Sequence, residues 1–420
     1  MKQINDISIN GERLWQSLME LARIGATDKG GNCRLALTEL DGQGRDLVVG
    51  WMRDAGLEIT VDQVGNIFGR RPGRDSAKLP VATGSHIDTQ PTGGKFDGCF
   101  GVMAGLEVMR TLQDQGIETD APLELVIWTN EEGTRFVPVM MGSGVFCNVF
   151  PLETALSATD IDGKSVRDEL VNIGYAGTEP VGQRKLGKYF EAHIEQGPIL
   201  EAEDKVIGVV TGSLGLRWYD LTVTGMEAHA GPTPMPLRRD ALYAATFIMQ
   251  EIIRIARDYA PQGRGTVGVA NVFPSSRNVI PGKVSFSVDL RHENAAMLAE
   301  MDARLRRACA ALASGETAGY PVEVDLQDVQ HFPPTPFAPE LIDAVRDQAR
   351  ARGLSEMDIV TGAGHDAVYV ATVAPTAMIF VPCKDGISHN EIEDAKPEHL
   401  TAGANVLLGA MLTHAGVSQP

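Results

Sequence analysis

Cysteine is scarce in this sequence and follows no pattern. The five Cys (Cys33, Cys99, Cys147, Cys309 and Cys383) are odd in number and irregularly spaced. That argues against a disulfide framework or a zinc ribbon and fits a reducing cytoplasm. Positive charge is also short: 37 Lys+Arg stand against 55 Asp+Glu, for a formal net charge of -18. A nucleic-acid partner needs a basic face, so that class is set aside. A small anionic substrate is not, because one local Arg can outweigh a distant net charge. Long apolar runs are missing as well, and nothing approaches the roughly 18 apolar residues of a membrane span. The start, Met1-Lys-Gln-Ile-Asn-Asp, is polar and lacks an apolar signal segment. Internal repeats and low-complexity tracts are absent. What remains is an ordinary globular composition, 43% hydrophobic and 22% charged, over 420 residues. That length suits about two domains.

The first half alternates strands with helices. Short apolar runs at Leu79 to Thr83 and Leu123 to Thr129 read as buried strands, with a helix from Cys99 to Gln115 between them. Tyr189 to Ile194 and Val206 to Val210 add strands. Alternation of this kind implies a mostly parallel sheet with both faces covered. Ligands then gather beyond the carboxyl ends of the strands. From about Leu214 to His331 the rhythm changes. Strands are expected at Trp218 to Thr224, Thr266 to Phe273, Val284 to Leu290 and Val322 to Val329, with helices at Leu237 to Tyr259 and Ala295 to Leu312. That βαββαβ order is the ferredoxin-like pattern. The reading is therefore an α/β catalytic domain, residues 1–213 and 332–420, interrupted by an inserted α+β ferredoxin-like domain, residues 214–331. Pro333-Pro-Thr-Pro336 serves as the return hinge. The strand Ala377 to Pro382 and a closing helix from about His399 to His414 complete the parent domain.

Polar fragments punctuate the apolar runs of the parent domain. Gly84-Ser-His-Ile-Asp-Thr89 is followed by Gly94-Lys-Phe-Asp-Gly98, Asn130-Glu-Glu-Gly133, Glu191-Ala-His-Ile-Glu-Gln-Gly197 and Gly386-Ile-Ser-His-Asn390. Together they offer imidazoles and carboxylates without thiolates, the donor set of a two-metal hydrolytic centre. His86 and Asp88 stand two apart at a strand end, so the Asp can orient the imidazole. Taken alone, that pair reads better as a His satisfied by a capping Asp. Asp97 lies in a Gly-flanked turn, where Asp is common for turn reasons, and its functional role would be to bridge two cations. Glu131 and Glu132 are adjacent carboxylates that repel unless something positive is near. In an extended segment they point opposite ways, one to metal and one to water. The bland reading is a solvated pair at a helix start. His193 sits in an alternating stretch that is polar where a core strand should be apolar. His389 lies in a loop that is either exposed or functional. Concentration at strand ends and loops favours one combined site over independent structural roles.

These fragments resemble the N-carbamoyl amino acid amidohydrolases, the hydantoinase/carbamoylase-type amidases that include L-carbamoylases, β-ureidopropionases and allantoate amidohydrolases. The resemblance runs from about Arg13 to the C-terminal helix. It is densest at Gly84 to Gly98, His193 to Glu201, Ala228-His-Ala-Gly-Pro-Thr-Pro-Met235 and Lys384 to Asn390. Gln90 to Phe96 and Asn130 to Phe136 look more like the β-ureidopropionase/carbamoylase branch than the allantoate branch. The resemblance implies a two-metal peptidase-like fold in which His86, Asp97 and His193 hold one cation. Asp97, Glu132 and His389 would hold the other, and Glu131 would be the general base. It implies that His229, from the inserted lid and dimerisation domain of a homodimer, polarises the scissile carbonyl. Asn278 and Arg291 would hold a substrate carboxylate, Gln196 would contact substrate near the metals, and Gly362, Ala363 and Gly364 would close the carboxylate pocket. Zinc or manganese, and also nickel or cobalt, suit such ligands. His365 is left without a role, and Cys99 is read as a packing bystander of Asp97.

The implied reaction is hydrolysis of the ureido bond of N-carbamoyl-L-amino acids or N-carbamoyl-β-alanine in the cytoplasm. Allantoate, or an acylated or peptide amino acid, is the alternative on the same centre. A metal-dependent binding protein without catalysis is the reading from a different class. Glu131 beside a full ligand set argues against it.

Overall fold

The structure, a computed structural model, describes residues 4–417. The chain divides into two units, one formed by 1–211 with 337–420 and the other by 212–336. The chain leaves and re-enters the first unit through paired segments, Thr335 against Ser213 and Pro336 against Gly212.

The first unit is built on a nine-stranded mixed sheet. Its centre is parallel, in the order Leu123–Trp128, Val81–His86, Lys188–Ile194, Thr376–Val381. Three of these strands are buried along their whole length, and the other, Lys188–Ile194, at every residue after Lys188. Leu123–Trp128 and Thr376–Val381 carry the near-continuous apolar runs of strands covered on both faces, while Val81–His86 and Lys188–Ile194 also bury Thr83, Ser85, His86, Glu191 and His193. The flanks differ from the mostly parallel sheet expected from the sequence. Ile67–Arg71 adds antiparallel to Leu123–Trp128, Glu58–Val61 adds antiparallel to that, and Ile207–Ser213 runs antiparallel to Thr376–Val381. The helix Cys99–Asp114 packs on Val81–His86 and Lys188–Ile194. The helix Pro397–Ala415, apolar nearly all round, packs against it and against Thr376–Val381. A helix without a polar face must be covered on all sides.

Parallel register decides where the chemistry sits. His86 lies opposite Trp128, and His193 opposite Phe380. The four central strands therefore end on one edge, and the segments after Trp128, Ile194 and Val381 emerge beside His86.

The second unit is an antiparallel sheet in the order Ala270–Phe273, Lys283–His292, Gly215–Thr224, Glu323–Phe332. Alternate residues of the central strands, such as Tyr219, Leu221, Val284 and Phe286, share a core with Ile248, Ile252, Leu298 and Leu305 of the helices Ala241–Asp258 and Ala295–Ala313. Two details differ from the sequence reading. The strand expected over 266–273 is two, Arg264–Thr266 and Ala270–Phe273, which pair with different parts of Lys283–His292. The long helix starts at Ala241 rather than Leu237, because Asp240 caps it by accepting the Leu242 and Tyr243 N–H groups.

Candidate metal centre

Polar residues stand at or just beyond the ends of these strands, and local hydrogen bonds set where they point. His86 closes Val81–His86, with Nδ1 2.9 Å from the backbone carbonyl of Asp88. His193 Nδ1 lies 2.9 Å from the carbonyl of Ile194. A carbonyl can only accept, so both Nδ1 atoms carry a proton and the Nε2 atoms are the ones that can ligate; His193 Nε2 here accepts the Gly98 N–H at 3.1 Å. Asp97 meets both rings: Oδ1 is 3.2 Å from His193 Nε2 and 3.9 Å from His86 Nε2. Its Oδ2 is 3.1 Å from His389 Nε2. Glu132 Oε2 is 3.4 Å from that same His389 nitrogen. The result is two groups of ligand-capable atoms, His86–Asp97–His193 and Asp97–Glu132–His389, sharing Asp97. Glu131 Oε2 stands 3.4 Å from His86 Nε2. Gly98, with φ +64, permits this crowding, since a Cβ there would lie 2.3 Å from His86 Nε2.

All six side chains line one cavity of about 260 Å³ together with Gln90, Val139, Met140, Gln196, Ala363, Gly364 and His365. Among the described residues no Lys or Arg lines it. Burial pushes Glu131 well above the usual carboxylate range, and Asp366, Glu132, Asp88 and Asp97 push it further. Burial, then Asp97, raises Glu132 to about 8. For Asp97 burial also acts upward, but hydrogen bonds with His193 and His389 outweigh it and hold it well below the usual range. Burial lowers His86 to about 4, while the hydrogen bond with Asp97 lifts His389 to about 9. Crowded buried carboxyls cannot all ionise without a positive partner. Divalent cations between the Nε2 and carboxylate atoms fit that demand and this nitrogen-and-oxygen donor set. The nearby thiol does not compete: Cys99 Sγ accepts from Arg34 Nη2 at 3.1 Å, and burial raises it to about 11.

Three expectations change in detail. The Asp88 carboxylate is 3.7 Å from His86 Nδ1, and it is the Asp88 backbone that orients the ring. The carboxylate instead accepts the backbone N–H groups of Glu131 and Glu132, each at 3.2 Å. Glu131 and Glu132 do not point opposite ways. Their strand ends at Trp128 and Asn130 turns at φ +54, so both reach the same cavity. Gly362 is exposed, and only Ala363 and Gly364 of that segment line the cavity.

Gln196 lines the cavity and donates to Asp97 Oδ2 at 2.9 Å. His229, Asn278 and Arg291 belong to the second unit. There Ala228–His229 pairs with Val279–Ile280, and the Ala230 N–H donates to the Asn278 carbonyl at 2.9 Å, so His229 and Asn278 are neighbours. Arg291 forks onto Asp289, with Nη2 2.7 Å from Oδ2.

Two cavity residues, Gln90 and His365, were given no role by the sequence reading. Gln90 donates to Glu132 Oε2 at 2.6 Å and accepts from the Thr134 hydroxyl. It stands inside a motif run, which was its one signal. His365 is buried against His193, with ring centroids 4.5 Å apart. Burial holds its pKa well below the usual value, and its Nε2 pairs with Thr361 Oγ1. Glu191, His193 and His365 also come within ligand distance of one another. Both oxygens of Glu191 are already engaged by the Ser85 hydroxyl and the Ala367 N–H, which makes that group a satisfied network.

Comparison with known proteins gives the family of the chain. Residues 82–413 match the model of peptidase family M20/M25/M40. An N-carbamoyl-L-amino-acid amidohydrolase of Rhizobium meliloti is 50% identical over 409 residues, covering 97% of each chain. An allantoate amidohydrolase of Bacillus subtilis is 33% identical over 389 residues, covering 92% of this chain and 93% of that one. The crystal structure of an amidase of the hydantoinase/carbamoylase family from Burkholderia multivorans superposes with a TM-score of 0.94 at 58% identity, covering 97% of this chain and 98% of the other.

Proposed function

Since the chain belongs to peptidase family M20/M25/M40 and, within it, to the hydantoinase/carbamoylase amidases, we propose that this amidohydrolase cleaves the ureido C–N bond of N-carbamoyl-L-amino acids. Free amino acid, ammonia and carbon dioxide would be released. The observation that carries the reading is Asp97, which faces His86 and His193 through one oxygen and His389 through the other, with Glu131 alongside.

His86, Asp97 and His193 would hold one divalent cation, and Asp97, Glu132 and His389 a second, with zinc or manganese the best matched metals. Such cations supply Lewis acidity, which polarises a carbonyl and makes water a nucleophile near neutral pH. Glu131 takes the proton of the attacking water and returns it to the departing amino-acid nitrogen. Its burial among other carboxyls suits a group that must hold a proton between those two transfers. Gln196 keeps Asp97 oriented and offers an amide to substrate. The second unit would act as lid and dimer contact. Asn278 and Arg291 would fix the substrate carboxylate, which turns remote binding into orientation at the reacting carbon. His229 would support the developing oxyanion from the partner subunit of a homodimer.

Allantoate is the second reading, supported by the 33% identical relative named for it. The test is ammonia release from N-carbamoyl-L-amino acids, N-carbamoyl-β-alanine and allantoate, with chelated enzyme and after manganese or zinc is restored. Metal-dependent release confined to carbamoyl amino acids supports the proposal. Preference for allantoate moves the enzyme to the other branch. No release by metal-loaded protein leaves deacylation or peptide cleavage. Among the described residues no helix is long and apolar enough to cross a membrane.

A further inference from the structure

His389 differs from the other candidate ligands in how it is held. Its side chain is 51% exposed, whereas His86, Asp97, Glu132 and His193 are buried. It stands on the loop that follows the strand Thr376–Val381, in a left-handed conformation at φ +54. The base of that loop is closed by the Lys384 N–H donating to the Asp394 carbonyl at 2.8 Å. Something other than packing must set the distance between His389 and Asp97.

Glu393 lies on the same loop and is 1% exposed. Its Oε1 accepts the Phe96 N–H at 2.9 Å and the Asp97 N–H at 3.2 Å. Its Oε2 accepts the Ser388 hydroxyl at 2.7 Å, and Ser388 Oγ is also 3.1 Å from Asp97 Oδ2. One buried carboxylate thus grips the backbone of Asp97 and the residue preceding His389. The chain at Gly94 is shaped around it, since a Cβ there would lie 2.0 Å from Glu393 Cδ and Oε1. Burying a carboxylate is costly unless hydrogen bonds replace its water. These bonds all run to the two segments that carry the facing ligands.

We propose that Glu393 is a positioning residue for the second cation: it sets the spacing of Asp97 and His389 and thereby the affinity of the Asp97–Glu132–His389 site. It touches neither cation nor substrate in this role. The inference rests on the two-cation reading of the centre. Partners of ligands commonly change metal affinity by about 10–100-fold when removed.

The experiment is a titration of chelated, full-length protein with manganese or zinc, following both binding equivalents calorimetrically, and with manganese also the spin-coupling signal of an adjacent pair. Four proteins are compared: wild type, Glu393→Ala, Glu393→Gln and Ser388→Ala. The expectation for Glu393→Ala is a second equivalent weakened at least about tenfold, more than the first, which shares Asp97, with the coupled signal lost. Glu393→Gln keeps an acceptor for the two amides but turns an NH2 toward Ser388, so its loss should be smaller. Ser388→Ala should weaken the same equivalent without disturbing the buried carboxylate. It also decides the matter, with Glu393→Gln, if Glu393→Ala does not fold. Wild-type affinity for both equivalents in all folded variants would overturn the proposal. A wild-type protein that takes up fewer than two equivalents would instead overturn the two-cation reading beneath it.

Discussion

Asp88 and Glu131 are joined through the backbone: a carboxylate oxygen of Asp88 accepts the Glu131 N–H at 3.2 Å, and its other oxygen accepts that of Glu132. One side chain thereby aims both the base and a ligand. Asp88→Asn replaces one acceptor with a donor that faces an N–H. We expect kcat to fall about 10–100-fold, the usual effect of losing such a support. KM and the global fold should change little. Full activity in the folded variant would show that the turn after Trp128 holds itself.

Glu131→Gln keeps the volume of the base and removes its ability to take a proton. General-base removal should cost about 10²–10⁴-fold in kcat. Metal content should stay at the wild-type level, because Glu131 belongs to neither shared-Asp97 group. Metal analysis beside turnover separates this outcome from a lost ligand. Unchanged turnover would show that Glu131 is not the general base.

Gly98→Ala tests the close approach at His86. The new Cβ would lie 2.3 Å from Nε2, and φ +64 disfavours a side chain in any case. Gly98 stands at φ +64, ψ -47, outside the left-handed helical region, so the backbone strain alone is worth about 1–3 kcal/mol and the melting temperature should fall by a few degrees. Activity should fall further than stability explains, because His86 must move to relieve the clash. A variant that is less stable yet fully active per folded molecule would show that the ring has room to shift.

Metal uptake should release protons. In the metal-free protein burial and Asp97 place Glu132 near 8, and the Asp97 hydrogen bond places His389 near 9. Both are therefore mainly protonated at pH 7, and both must be deprotonated to ligate. Affinity for the second cation should rise with pH up to about 9 and level off above it. Calorimetry in buffers of different ionisation enthalpy should report proton release on binding near pH 7. Binding that is indifferent to pH between 6 and 9 would contradict this.

The ligand candidates were legible before the fold because they break a pattern. His86 ends an apolar run, the stretch around His193 is polar where a buried strand should not be, and Asp97 and His389 sit among glycines and small polar residues. The parallel core was legible from the apolar runs of Leu123–Trp128 and Thr376–Val381 and from the helices that alternate with its strands. The antiparallel flanks were not, because Glu58–Val61 and Ile67–Arg71 are short and carry charged residues that mark no neighbour. Periodicity tells which face of a strand is buried but not which strand lies beside it.

By itself, then, the sequence determined the chemical repertoire of this protein: imidazoles and carboxylates at strand ends, with a carboxylate pair where a base could stand. Only the tertiary structure decided how that repertoire is aimed. Glu393 meets the Asp97 N–H across 296 positions of chain, and Asp88 meets that of Glu131 across 43. Such partners are chosen by which strand ends the sheet brings to one edge. Glu393 does not differ in its local sequence from an ordinary acidic loop residue, and Asp88 stood out in the sequence only as a partner of His86. A hydrogen bond depends on separation in space, and separation along the chain carries almost no trace of it.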